Sequence, residues 1–129
     1  MLNMTAPVRL QRRRSRGYDM QAESRAANGL AAGSVCRPGP WGNPYRVGEP
    51  VDMRLAKAWG WKLRHPEYIC ADTEDAVRKF RAALSLDDAS IYAIRKELRG
   101  HNLACWCPLP APGEPDHCHA AVLLEIANR

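Results

Sequence analysis

An α/β domain built on a small, parallel sheet flanked by helices is what this sequence predicts, and three features predict it. Helical spacing of apolar residues runs over Glu74 to Leu86, from Asp88 to Leu98 and from Cys118 onward, with short strand-like segments between helical stretches. Strands that alternate with helices, rather than with one another, pair in parallel through crossover connections. At 129 residues the chain has the length of one domain with one hydrophobic core. The expected organisation is a disordered N-terminal tail over residues 1–7 and a single α/β domain over residues 8–129.

In chain order, Val8-Arg9-Leu10 alternates apolar and polar residues as a short strand does, and it runs into Arg12, Arg13 and Arg14 before a turn at Gly17. The alanine-rich segment from Met20 to Ala32 reads as a short helix before a break at Gly33, and Ser34 to Arg37 as a buried strand. Arg37-Pro38-Gly39-Pro40-Trp41-Gly42-Asn43-Pro44-Tyr45 carries too many prolines and glycines for regular structure and reads as a rigid loop. Asp52 to Trp61 has a good N-cap in Asp52, and Thr73-Glu74-Asp75 opens the helix that places Ala76, Val77, Phe80 and Leu84 on one side. Asp88 begins the next helix, which carries Ile91, Ile94 and Leu98, with Gly100 as its C′ residue.

The stretch from Leu103 to Ile126 holds three of the five cysteines and two histidines. An extended Leu103 to Trp106 puts Leu103 and Cys105 on one face, and Cys107 continues that alternation. Cys118 and His119 open the last helix, whose Val122, Leu123 and Ile126 need an apolar surface and find it on a central strand. Three readings of these residues stay open. Cys105, Cys107, Cys118 and His119 supply the thiolate and imidazole donors that zinc accepts, although C-x-C and C-H are looser than the usual zinc knuckle spacing. Cys118 beside His119 at a helix amino terminus is also a candidate catalytic thiolate. Finally, the cysteines could pack as small hydrophobes with His119 capping the helix.

The net charge of +5 is concentrated at one end. Residues 1–46 hold eight arginines against Asp19 and Glu23, whereas the remainder carries eleven basic and twelve acidic side chains. Clustered guanidinium groups suit phosphate, which they grip bidentately; a solvated basic tail is the alternative. No apolar run approaches the length of a membrane span, and the start lacks the apolar core of a signal peptide. A cytoplasmic location follows as the expectation, and with it reduced thiols or metal ligands rather than disulfides.

Three motifs in order, R-R-R-S-R-G-Y, C-R-P-G-P-W-G-N-P-Y, and L-R-G-H-N-L-A-C-W-C followed by C-H-A-A-V-L-L-E-I-A-N, resemble a small family of phage and actinobacterial proteins, the domain of unknown function numbered 4326. The resemblance leaves out Met1 to Ala6 and the segment from about Pro50 to Ala71. The Met20 to Gly33 stretch also lacks a proline expected after the aromatic residue. It implies a phage or mobile-element origin, with the host cell cytoplasm as location, and brings no reaction with it. A weaker similarity, to bacterial proteins with a cysteine at a strand end and a later Cys-His at a helix start, implies that the sheet is Rossmann-like.

Two functions fit these residues. One is a domain handling a nucleotide, a nucleoside phosphate or another phosphorylated small molecule, by hydrolysis or glycosyl transfer. Arg12, Arg13, Arg14 and Arg37 would hold phosphate, and Trp41 and Asn43 the base, in one pocket at the carboxyl ends of the strands. The other is a non-enzymatic phage accessory protein that binds nucleic acid or a host protein through the basic segment, with structural, zinc-bound cysteines. No membrane partner is expected.

Overall fold

Three parallel strands in the order β1-β3-β2 form the centre of the computed structural model, which describes residues 6–129. The elements in sequence are β1 (Arg9–Gln11), α1 (Met20–Asn28), β2 (Ala32–Ser34), α2 (Met53–Trp59), α3 (Thr73–Ser85), α4 (Asp88–Leu98), β3 (Asn102–Cys105) and α5 (His119–Asn128). A parallel neighbour requires a crossover, and each strand change here carries at least one helix: α1 between β1 and β2, and α2 to α4 between β2 and β3. The register pairs Leu10 with Ala104 and Gly33 with Leu103. The last strand in sequence is therefore the central one, buried along its whole length.

Alternation along β3 decides what each face packs against. Leu103 and Cys105 join the core with Val122, Leu123 and Ile126 of α5, Phe80 and Leu84 of α3, and Ile94 and Leu98 of α4. On the other face the fully buried Asn102 makes a polar lock. Its amide nitrogen donates to Ser24 Oγ at 2.8 Å and Asn28 Oδ1 at 2.7 Å, while its oxygen accepts from the Val8 backbone at 2.8 Å. That lock ties α1 and β1 to the central strand and leaves no amide group of Asn102 without a partner.

Several boundaries differ from the sequence expectation for physical reasons. The second strand is Ala32–Ser34 rather than Ser34 to Arg37, because β3 ends at Cys105 and offers nothing further to pair; Val35 N donates to Ala104 O at 3.0 Å, and the chain then leaves the sheet. Helix α1 stops at Asn28, where Gly29 adopts φ 82°, earlier than the expected break at Gly33. Helix α2 stops at Trp59 instead of Trp61, since Gly60 turns the chain at φ 83° and returns the Trp61 ring to the core beside Trp59 and Phe80. Helix α3 starts at Thr73 with Asp72 as its cap, accepting from Asp75 N. The first five residues of the expected tail lie outside the described residues, and the Ala6 carbonyl accepts from Asn28 Nδ2. No helix among the described residues is long and apolar enough to cross a membrane.

Candidate functional site

The carboxyl ends of parallel strands emerge on one edge, and the three strands of this sheet bring Gln11, Ser34 and Cys105 to that edge together. There a cavity of 390 Å³ opens, with Cys36, Arg37, Tyr45, Arg46 and Trp106 in its lining, and with Cys105, Cys107, Cys118 and His119 along one wall.

The sulfur and imidazole groups converge because β3 and the amino terminus of α5 are adjacent. Sγ of Cys105, Sγ of Cys118 and a ring nitrogen of His119 lie within 4.8 Å of one another, all in buried residues. Cys107 Sγ is 3.9 Å from Cys105 Sγ, and Cys118 Sγ is 3.9 Å from His119 Nδ1. All five cysteines are free thiols. His119 Nε2 sits 2.7 Å from the Val35 carbonyl, which can only accept, so this nitrogen carries the proton and Nδ1 keeps its lone pair towards the thiols. The ring is held from the side by Phe80, edge-on at 5.8 Å.

The thiols share hydrogen bonds and shift one another's pKa in opposite directions. Hydrogen bonds from Cys107, then Cys118, hold Cys105 far below the usual thiol range. The same bonds, with burial, push Cys118 well above it, and its bond to Cys105 also raises Cys107. Cys118 at a helix start is a candidate thiolate, and these neighbours shift its pKa upward, opposite to the lowering that the helix start alone would give.

Arg9 braces this arrangement. It is 9 % exposed, and its guanidinium donates to Cys107 O and Pro108 O, both at 2.6 Å, and to the Asp116 carboxylate at 2.8 and 3.1 Å. Both ends of the loop between the two cysteine segments are thus fastened to β1. Burial opposes the charge on Arg9, but the bond to Asp116 and the nearby thiols outweigh it and raise its pKa.

The expected phosphate and base residues divide among three places. Arg37 lines the cavity, yet its Nε and Nη2 donate to Asn43 O at 2.7 Å and Tyr45 O at 2.5 Å, so much of its fork fixes the loop. Asn43 also lines it, but its amide is spent within the protein: Nδ2 donates to Ala76 O and Oδ1 accepts from Tyr45 N. Trp41 is not in the cavity lining; it packs edge-on against Trp59 at 5.6 Å and caps the core. Arg12, Arg13 and Arg14 line a separate shallow groove with Trp106. The guanidinium carbons of Arg12 and Arg14 each lie 4.4 Å from the Trp106 ring centroid, and Arg12 Nε is buried without a hydrogen-bond partner among the described residues. The single pocket expected is therefore two, meeting at Trp106.

Sequence reasoning passed over Arg9, Arg46, Trp106 and Cys36. The cysteine immediately before Arg37 was a usable signal, since it lies near the carboxyl end of the expected Ser34 to Arg37 strand. Arg9 carried none, because an alternating arginine ordinarily faces solvent.

The model of the family described as a domain of unknown function, DUF4326, matches residues 11–129. No curated protein and no solved structure matches the chain.

Proposed function

We propose that this chain, which belongs to the DUF4326 family, binds a nucleotide or another nucleoside phosphate in the cavity at the carboxyl ends of its strands. The observation that carries the reading is the presence of two cationic side chains, Arg37 and Arg46, in a concave 390 Å³ site of ligand size that Tyr45 also lines; Glu49, 4.0 Å from Arg46, is the one carboxylate in that lining among the described residues. Partial burial, followed by the like charge of Arg46, lowers the Arg37 pKa. An anion between them would relieve that repulsion and accept charge-assisted hydrogen bonds. The Tyr45 ring would favour a planar group.

A second reading rests on the Arg12–Arg13–Arg14 groove, whose charge and Trp106 ring fit single-stranded nucleic acid. It ranks lower because two guanidiniums already lie over the Trp106 ring, and a stacking base would have to displace one.

Calorimetric titration with a panel of nucleotides and ADP-ribose tests both. Arg46→Ala removes one charge-assisted contact of about 1.5–3 kcal/mol and is expected to weaken binding at least tenfold, whereas Arg13→Ala leaves it unchanged. No heat with any member of the panel, together with salt-dependent binding of an oligonucleotide that Arg13→Ala weakens, would reverse the order of the two readings.

A further inference from the structure

We propose that Cys105, Cys107, Cys118 and His119 form a tetrahedral centre for one zinc ion in the wall of the cavity. Cys105, Cys118 and His119 offer donor atoms within 4.8 Å of one another, and Cys107 adjoins them through Cys105. Donors at about 2.3 Å from a tetrahedral ion sit roughly 3.8 Å apart. The Cys105–Cys107 and Cys118–His119 separations are both 3.9 Å. Disulfide sulfurs, by comparison, approach to about 2.05 Å.

The imidazole is prepared for coordination. Its Nε2–H donates to Val35 O, which leaves the Nδ1 lone pair on the side of the Cys118 sulfur. Metal-bound histidines ordinarily have their second nitrogen anchored in this way, which fixes both tautomer and ring orientation. The supports of the sulfur donors are equally fixed. Cys105 ends the central strand, Cys118 caps α5, and the Arg9 guanidinium joins the Cys107 carbonyl to Asp116, two residues before Cys118.

The charge balance also favours a divalent cation. Three thiols and a neutral imidazole around zinc release the three thiol protons to solvent, while the imidazole keeps its proton on Nε2, donated to Val35 O. The remaining negative charge faces the positive amino terminus of α5 and the buried Arg9. Soft thiolate and imidazole donors without an oxygen ligand select zinc over magnesium or calcium. Cys107 is the most accessible of the four residues, so it forms the cavity side of the centre. Cys36 and Cys70 stay outside it: the Cys36 thiol turns to the Ala104 carbonyl, and Cys70 lies beside Val47.

Elemental analysis of the full chain, purified under reducing conditions without chelator, tests the site. The expected content is about one zinc per chain in wild type and in Cys70→Ser, with a loss of at least tenfold in affinity for Cys107→Ser. Because a ligand variant can fail to fold, cobalt titration of metal-stripped wild type supplies the second measurement. Stoichiometric appearance of thiolate-to-cobalt charge transfer, with the intense visible bands of tetrahedral cobalt, is expected. Zinc content near zero with no such spectrum, iron in place of zinc, or a Cys105–Cys107 disulfide would each overturn the proposal. Nucleotide binding plays no part in these measurements, so failure of one proposal leaves the other standing.

Discussion

Arg9 shows how much one side chain can organise when its partners come from distant parts of the chain. Asp116 is 107 positions away, and the Cys107 and Pro108 carbonyls almost as far. The Arg9 side chain is 5 % exposed and that of Asp116 20 %, so the pair is shielded, and removing one member leaves the other charge poorly solvated. Arg9→Ala is expected to destabilise the fold by about 3–5 kcal/mol, read as a lower urea midpoint. Arg9→Lys should recover only part of that, since one ammonium cannot span the carboxylate and two carbonyls. A midpoint unchanged in Arg9→Ala would mean that the loop ends hold without the brace.

At the scale of elements, α5 and α3 carry separate predictions. Leu123 is fully buried between β3 and the neighbouring helices, so Leu123→Ala is expected to cost about 2–5 kcal/mol. An unchanged denaturation midpoint would sink the packing of α5 against the central strand. Helix α3 instead has a pH signature. The Asp75 carboxylate accepts from Ala71 N, from the Tyr68 hydroxyl and from Arg78, and these bonds hold its pKa below the ordinary aspartate range against the opposing effect of burial. The same bond raises the Tyr68 phenol. A depressed carboxyl pKa means that the unfolded chain binds the proton more readily. The stabilisation is therefore complete above the unfolded value of about 3.9 and drains away as pH falls through the native value. In Asp75→Asn, stability at neutral pH should drop, and its difference from wild type should narrow on acidification. A difference constant with pH would show that Asp75 acts through shape alone.

For the molecule as a whole, strand order matters more than strand length. With β3 between β1 and β2, the ends of all three strands open on one edge, where the arginine-rich first third of the chain meets the cysteines of the last. Arg12, Arg13, Arg14, Arg37 and Arg46 are thereby brought to the two pockets at that edge. Trp106, just past the end of β3, separates the cavity from the arginine groove and contributes to both.

Local patterns in the sequence were enough to determine the helices and the parallel class of the sheet. Asp52 caps α2, Thr73 begins α3, and Asp88 to Leu98 forms α4, because capping and apolar periodicity act within a few residues of chain. The meeting of Cys105 and Cys107 with Cys118 and His119 was legible for the same reason: a strand end and the next helix start are neighbours in sequence and in space. Tertiary structure decided the polar roles. Asn43 and Arg37 have the chemistry of ligand contacts, yet Ala76 O takes the Asn43 amide, and the Asn43 and Tyr45 carbonyls take the Arg37 fork. Trp41 could have faced a ligand, but Trp59, delivered by α2, occupies its edge. Arg9, unremarkable in its strand, became the brace of the site. Whether a polar or aromatic side chain serves the fold or a ligand depends on which partners the folded chain brings within hydrogen-bonding or packing distance, and those partners lie far away in sequence.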